Sequence, residues 1–164
     1  MKMLGKVIGA ILICLVLVLV VLRIVGLDPK DRRPGLWLKG SVVTTPVNDW
    51  SFGDQYPNIL IQTSTPYLIP HSVTINGVSY NGNLYLHSAF PAGMPFPGGK
   101  SWTASLARDP RVRLKIGDQL YDRTATHVTD EAELALVVEA YAQKFPRAQN
   151  APGSITYYYR VPHD

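Results

Sequence analysis

Lys100 follows two glycines and precedes a serine in "PFPGGKSWTASLARDP", residues 95–110, at what reads as the mouth of a short helix. A cation in the first turn opposes the helix dipole and costs about 0.3–1 kcal/mol at exposed sites. An anion held there would offset that cost. The free N–H groups around Ser101 and Trp102, the Ser101 hydroxyl and the Lys100 ammonium can converge on one phosphate. The alternative is a solvent-exposed lysine beside a capping serine. A Walker A loop is a poor match, because its first glycine would fall at Met94 and Gly93 misses by one position.

His71, His87 and His127 are the other groups with chemistry to offer. No two of them have the three-to-five spacing of a helical metal-ligand pair, so no metal site is expected. All three fall on strand-like stretches. Strand pairing can bring His71 and His87 to one mouth, where either can hydrogen-bond a bound ring or donate a proton near neutral pH; the alternative is a pair of half-exposed strand histidines. No Gly-x-Ser-x-Gly elbow occurs, which argues against hydrolase chemistry. The only cysteine, Cys14, lies inside an apolar run, so the rest of the chain has no thiolate nucleophile and no disulfide. No catalytic residue is singled out.

These side chains must be positioned by elements that are mostly β. "NILIQT" (Asn58 to Thr63) is a short apolar run, and "HSVTINGVSY" and "NLYLHSAF" flank Asn81-Gly82, a strong hairpin signal. The Pro/Gly-rich loop "PAGMPFPGG" follows, with Met94 and Phe96 placed to close over a substrate. A short helix then starts near Ser101 and stops before Pro110. Val112, Leu114 and Ile116 alternate with Arg111, Arg113 and Lys115, the pattern of a half-buried strand with a basic, solvated outer face. Gly117-Asp118 offers a second hairpin turn. "TDEAELALVVEAYAQKF" reads as a helix with Asp130 as N-cap and Glu133 three residues on, burying Leu134, Val137, Val138, Tyr141 and Phe145. "SITYYYRVPHD" supplies a last strand. The plan is mainly β with two helices, a small antiparallel barrel of about six strands.

Ahead of this domain, "VIGAILICLVLVLVVLRIVGL" (Val7 to Leu27) rises roughly 31 Å as a helix, the thickness of a bilayer core. An uncleaved single-pass anchor is expected, with a cleaved signal peptide as the competing reading. Lys2, Lys6 and the α-amine on one side nearly balance Arg23, Lys30, Arg32 and Arg33 on the other, so the side of the soluble domain stays open. This clustering makes the formal charge of +4 an argument for a membrane surface rather than for nucleic acid. The expected division is an anchor over 1–27, a juxtamembrane linker over 28–37 with Trp37 at the interface, and a folded domain over 38–164.

The order "NGNLYLHSAF", then "GGKSWTASLARDPRVRLKIGDQLYDRTATHVTDEAE", resembles the split β-barrel superfamily of pyridoxamine 5'-phosphate oxidase-like flavoproteins and the related deazaflavin-dependent nitroreductases. The resemblance covers roughly residues 57–145. It rests on Ser88 at a strand end, Lys100 after a loop, Asp109-Pro110 closing a short helix, and the strand from Arg111 to Gly117. It implies an FMN- or deazaflavin-dependent oxidoreductase or nitroreductase acting on a small molecule. Lys100 and Ser88 would contact the cofactor phosphate, and His71, Ser72, Val73 and Thr74 would border the flavin ring or ribityl chain. A homodimer would share each site. Where the oxidases place an arginine on the phosphate, this chain has His71 or Ser72. A non-catalytic flavin or haem carrier, or a scaffold without ligand, is the alternative on the same barrel.

Overall fold

The computed structural model describes residues 2–31, 33–67, 69–147 and 152–164; Arg32, one of the flanking cations, lies outside them. Helix α1 (Lys2–Val25) is apolar on every side, and its 3–25 stretch is long and apolar enough to cross a membrane. None of that stretch is buried against the rest of the molecule.

The body contains strands β1 (Ser41–Val42), β2 (Ile59–Thr63), β3 (His71–Ile75), β4 (Gly77–Tyr80) and β5 (Asn83–Phe90). Helix α2 (Ser101–Arg108), strands β6 (Arg111–Ile116), β7 (Gln119–Thr124) and β8 (Thr126–His127), helix α3 (Glu131–Lys144) and strand β9 (Ile155–Val161) complete it, with a 3-10 turn at Ser51–Gln55. One sheet runs β1-β7-β6-β2-β3 and the other β4-β5-β9-β8.

The sequence plan therefore needs correcting at several points. Nine strands are present among the described residues, not six, because β1 and β8 have two residues each and carry no local signal. The β1–β7 pair is parallel. Residues 71–80 do not form one strand: the chain leaves the first sheet at Asn76 and enters the second at Gly77. Among the described residues a 3-10 turn adds to the two expected helices and α1, and the two sheets share a core without closing into one continuous barrel.

The hairpin at Asn81-Gly82 does form. Asn81 at φ 47° and Gly82 at φ 77° occupy the left-handed region that a tight two-residue turn needs, and Tyr80 pairs with Asn83. In β6, Val112, Leu114 and Ile116 are buried, while Arg111, Arg113 and Lys115 face outward. Those three apolar residues join Ile59, Ile61, Leu84, Leu86 and Trp102 between the sheets. Each such side chain contributes roughly 1.5–3 kcal/mol by leaving water.

Beneath α3 a second cluster packs Val137 and Tyr141 on Val78, Tyr85, Val128 and Tyr158. Asp130 caps α3 by accepting from the Glu133 N–H at 2.7 Å. Val138, expected on the buried face, is 49% exposed, because the helix seats on the sheet along the Val137–Tyr141 line. Strand β5 serves both layers: Leu84 and Leu86 enter the inter-sheet core, and Tyr85 joins the cluster under α3.

Asp28, Gly35 and their described neighbours are tied to the body of the protein. Gly35 and Ser72 exchange backbone hydrogen bonds of 2.8 and 3.0 Å, which covers the open edge of β3. Asp28 accepts from the Lys39 N–H at 3.0 Å and from Lys115 Nζ at 2.6 Å. A Cβ at Gly35 would come within 2.2 Å of the Leu27 carbonyl oxygen, so only glycine fits this crossing.

Candidate functional site

A cleft of about 690 Å3 opens where β3, His87 of β5, the start of α2 and Asp31, Arg33 and Pro34 meet. Its volume falls in the range of small-molecule sites. The strand alternation of β3 turns His71 and Val73 toward it, with Thr74, Ile75 and Asn76 continuing the wall. Lys100, Ser101 and Trp102 enter from the first turn of α2.

Lys100 is itself the N-cap of α2, in extended conformation, and no side chain caps the helix. The first turn holds no acidic residue. The positive end of the helix dipole and the Lys100 ammonium thus stand together without a carboxylate from that turn. The Lys100 ammonium lies 5.1 Å from the Phe90 ring centroid, and burial lowers its pKa. The Ser101 hydroxyl sits 3.2 Å from His71 Nδ1, so it is partly engaged within the wall. Burial lowers the pKa of His71 and keeps it largely neutral at pH 7.

His87 is more strongly perturbed. Burial, assisted by the Lys100 charge, holds its pKa at about 4. Its ring packs 4.3 Å from that of Tyr141, and its Nδ1 is buried with no hydrogen-bond partner among the described residues. It is a neutral imidazole with one nitrogen still to be satisfied.

The cleft brings together His71, Val73, Thr74, His87, Lys100, Ser101 and Trp102 of the sequence-derived set, and leaves out two serines. Ser72 points to the other face of β3 against Gly35, and Ser88 is 1% exposed; both hydroxyls lack partners among the described residues. His127 stacks on Phe96 at 4.2 Å, away from the cleft. The Pro/Gly loop faces that way too, because Tyr157 donates to the Met94 carbonyl at 2.9 Å and Phe96 rests beside His127. Among the described residues no group of three or more His, Cys, Asp or Glu side chains is placed to hold a metal.

Sequence reasoning missed Asp31, Arg33, Pro34, Ile75 and Asn76. Arg33 counted there only as a flanking charge, and nothing local signals that Gly35 pairs with Ser72 and swings Arg33 to the cleft. Arg33 supplies a second cation on a wall whose β3 strand offers none.

An anion and a polar heterocycle both suit this lining. Lys100, Arg33 and the α2 N–H groups offer positive charge and donors, His71, His87 and Asn76 offer polar edges, and Val73, Ile75 and Trp102 offer apolar surface.

No family model matches the chain, and no curated protein matches it. Solved structures do. A candidate 5-nitroimidazole antibiotic resistance protein from Bacteroides thetaiotaomicron aligns with a TM-score of 0.52 at 15% identity, covering 82% of this chain and 86% of that one. The FAD binding protein from Mycobacterium smegmatis aligns at 0.50 and 20% identity, covering 70% and 85%. A conserved hypothetical protein from Mycobacterium tuberculosis aligns at 0.50 and 18%, covering 68% and 76%. The chain thus shares its fold with these solved structures.

Proposed function

We propose that this protein is a membrane-anchored, flavin- or deazaflavin-dependent oxidoreductase acting on a small molecule, with FMN as the first cofactor to test and a shared-site homodimer as the working assembly. The observation that carries the reading is the convergence of Lys100, Arg33 and the uncapped start of α2 beside two neutral histidines in one cleft. The fold shared with an FAD binding protein agrees with a flavin-type cofactor. The length and apolarity of α1 support a single-pass anchor.

Lys100 and Arg33 would grip the phosphate, with the α2 N–H groups adding donors along the helix dipole. His71 and His87, neutral at pH 7, would donate to or accept from the edge of the ring, and Trp102 with Val73 would exclude water from its face. A bound flavin supplies hydride or electron transfer, which none of these side chains can perform.

The test is the absorbance spectrum of the purified full-length chain, followed by FMN and deazaflavin titrations of wild type and Lys100→Met. Flavin bands, or micromolar binding weakened by the substitution, support the reading. A Soret band points to the haem-carrier alternative, and bare protein absorption with no binding of either cofactor refutes a flavin site.

A further inference from the structure

A second cleft, of about 710 Å3, runs along the outer face of β2, β6 and β7, where Gln62, Arg113 and Asp122 stand in one cross-strand row. Four arginines line it, Arg23, Arg111, Arg113 and Arg123, against the carboxylates of Asp122 and Asp164. Arg23 comes from the last turn of α1 and makes no ion pair among the described residues. Arg113 gives Nε and one terminal nitrogen to Asp122, both at 2.7 Å, which leaves its other terminal nitrogen free. Arg123 pairs with Asp164 at 2.9 Å, yet its Nε is buried with no partner among the described residues. Trp37 completes the wall.

We propose that this cleft binds the phosphodiester headgroup of an anionic phospholipid. The proposal rests on the reading of α1 as a membrane helix. With residues 3–25 in a bilayer, Arg23 lies at headgroup level, and the cleft that Arg23 helps to line opens there too. A phosphodiester carries one charge on two non-bridging oxygens, a good match to guanidinium groups with donors to spare. An indole at the same level suits the interface.

The test uses the full-length chain in neutral detergent, titrated with dihexanoyl phosphatidylglycerol, dihexanoyl phosphatidylcholine or inorganic phosphate. Tryptophan fluorescence is the readout, and Trp37→Phe identifies the reporting residue. Phosphatidylglycerol should bind at least about tenfold more tightly than phosphatidylcholine, and Arg23→Gln and Arg111→Gln should each weaken it about fivefold. Lys100→Met should leave it unchanged. Equal binding of the two lipids, or indifference to both arginine substitutions, overturns the proposal. Inorganic phosphate binding as tightly as phosphatidylglycerol reassigns the cleft to a free anion and overturns the lipid assignment. Failure of the membrane reading shows separately, as release of the chain from membranes by alkaline carbonate.

Discussion

His87 should make the protein lose stability in mild acid. Its folded pKa of about 4 lies below the usual histidine value of 6.5, mainly through burial and then through the Lys100 charge. The unfolded chain therefore binds a proton that the folded chain refuses. The contribution of neutral His87 is complete above pH 6.5 and is lost progressively as pH falls toward 4. The gap between about 4 and 6.5 corresponds to about 3 kcal/mol at the acid end of that window. The groups packed around the ring are the Lys100 ammonium and the Tyr141 and Tyr158 rings, with no carboxylate among them to stabilise the imidazolium. His71 and His127, also lowered by burial, act in the same direction. His87→Phe keeps a ring against Tyr141 and removes the unpartnered Nδ1. It should be neutral or slightly stabilising at pH 7.5, and should flatten most of the stability loss between pH 6.5 and 4.5. Thermal melts of the full-length chain in detergent across that range measure both. If wild type and His87→Phe lose stability in parallel, the buried neutral state of His87 is wrong.

Lys100→Met should weaken FMN or deazaflavin binding about tenfold to a hundredfold, the worth of a charge-assisted contact of roughly 1.5–3 kcal/mol, while thermal stability holds or rises as a cation leaves the helix start; fluorescence titration and melting read the two effects. Gly35→Ala should loosen residues 28–37 from β3 and weaken cofactor binding through Arg33, seen as faster hydrogen exchange at Ser72; unchanged protection there refutes the crossing. The full-length chain should stay in the membrane pellet on alkaline carbonate extraction, and its release would contradict an anchor. Light scattering on detergent-purified protein should give two chains per particle, and a monomer at micromolar concentration would count against a shared site.

Local chemistry explains which parts of this fold are legible in the sequence. Asp130 with Glu133, Asn81-Gly82 and the alternation from Arg111 to Ile116 each act within a few residues, and each forms as read. Glu133 departs in one respect. Its carboxylate reaches Tyr85 and Arg160 rather than returning to the N-cap, because β5 and β9 offer it partners. The break at Asn76 shows in the sequence only as a slip of phase, with apolar residues at Val73 and Ile75 and then at Val78 and Tyr80, and one such slip is easily read as a single strand. The cleft was half legible: Lys100 and the histidines announce themselves by type, whereas Arg33 reaches the wall through a pairing 37 residues away, Gly35 with Ser72. Proline, glycine and charge in residues 28–37 read locally as linker, and only the uncovered edge of β3 gives that composition a place to dock.

That docked segment ties the two clefts to the apolar helix. Leu27 and Trp37 share a backbone hydrogen bond of 2.8 Å, and Leu36 donates back to Leu27 at 2.8 Å, so the chain doubles on itself as soon as it leaves α1. Leu38 then donates to Gln62 Oε1 at 2.7 Å, and Asp28 holds Lys115 on β6. With Lys115 13% exposed and Asp28 31%, this ion pair is less screened than a pair free in solvent. Asp31, Arg33 and Pro34 wall the first cleft, and Trp37 walls the second. The bonds at Leu27, Trp37, Leu38 and Asp28 thus place Arg33 and Trp37 on one segment anchored to both α1 and the sheets. Lipid held at Arg23 would therefore favour the same placement of residues 28–37 that brings Arg33 to the first cleft, and the two sites would be linked through the segment that joins helix to body.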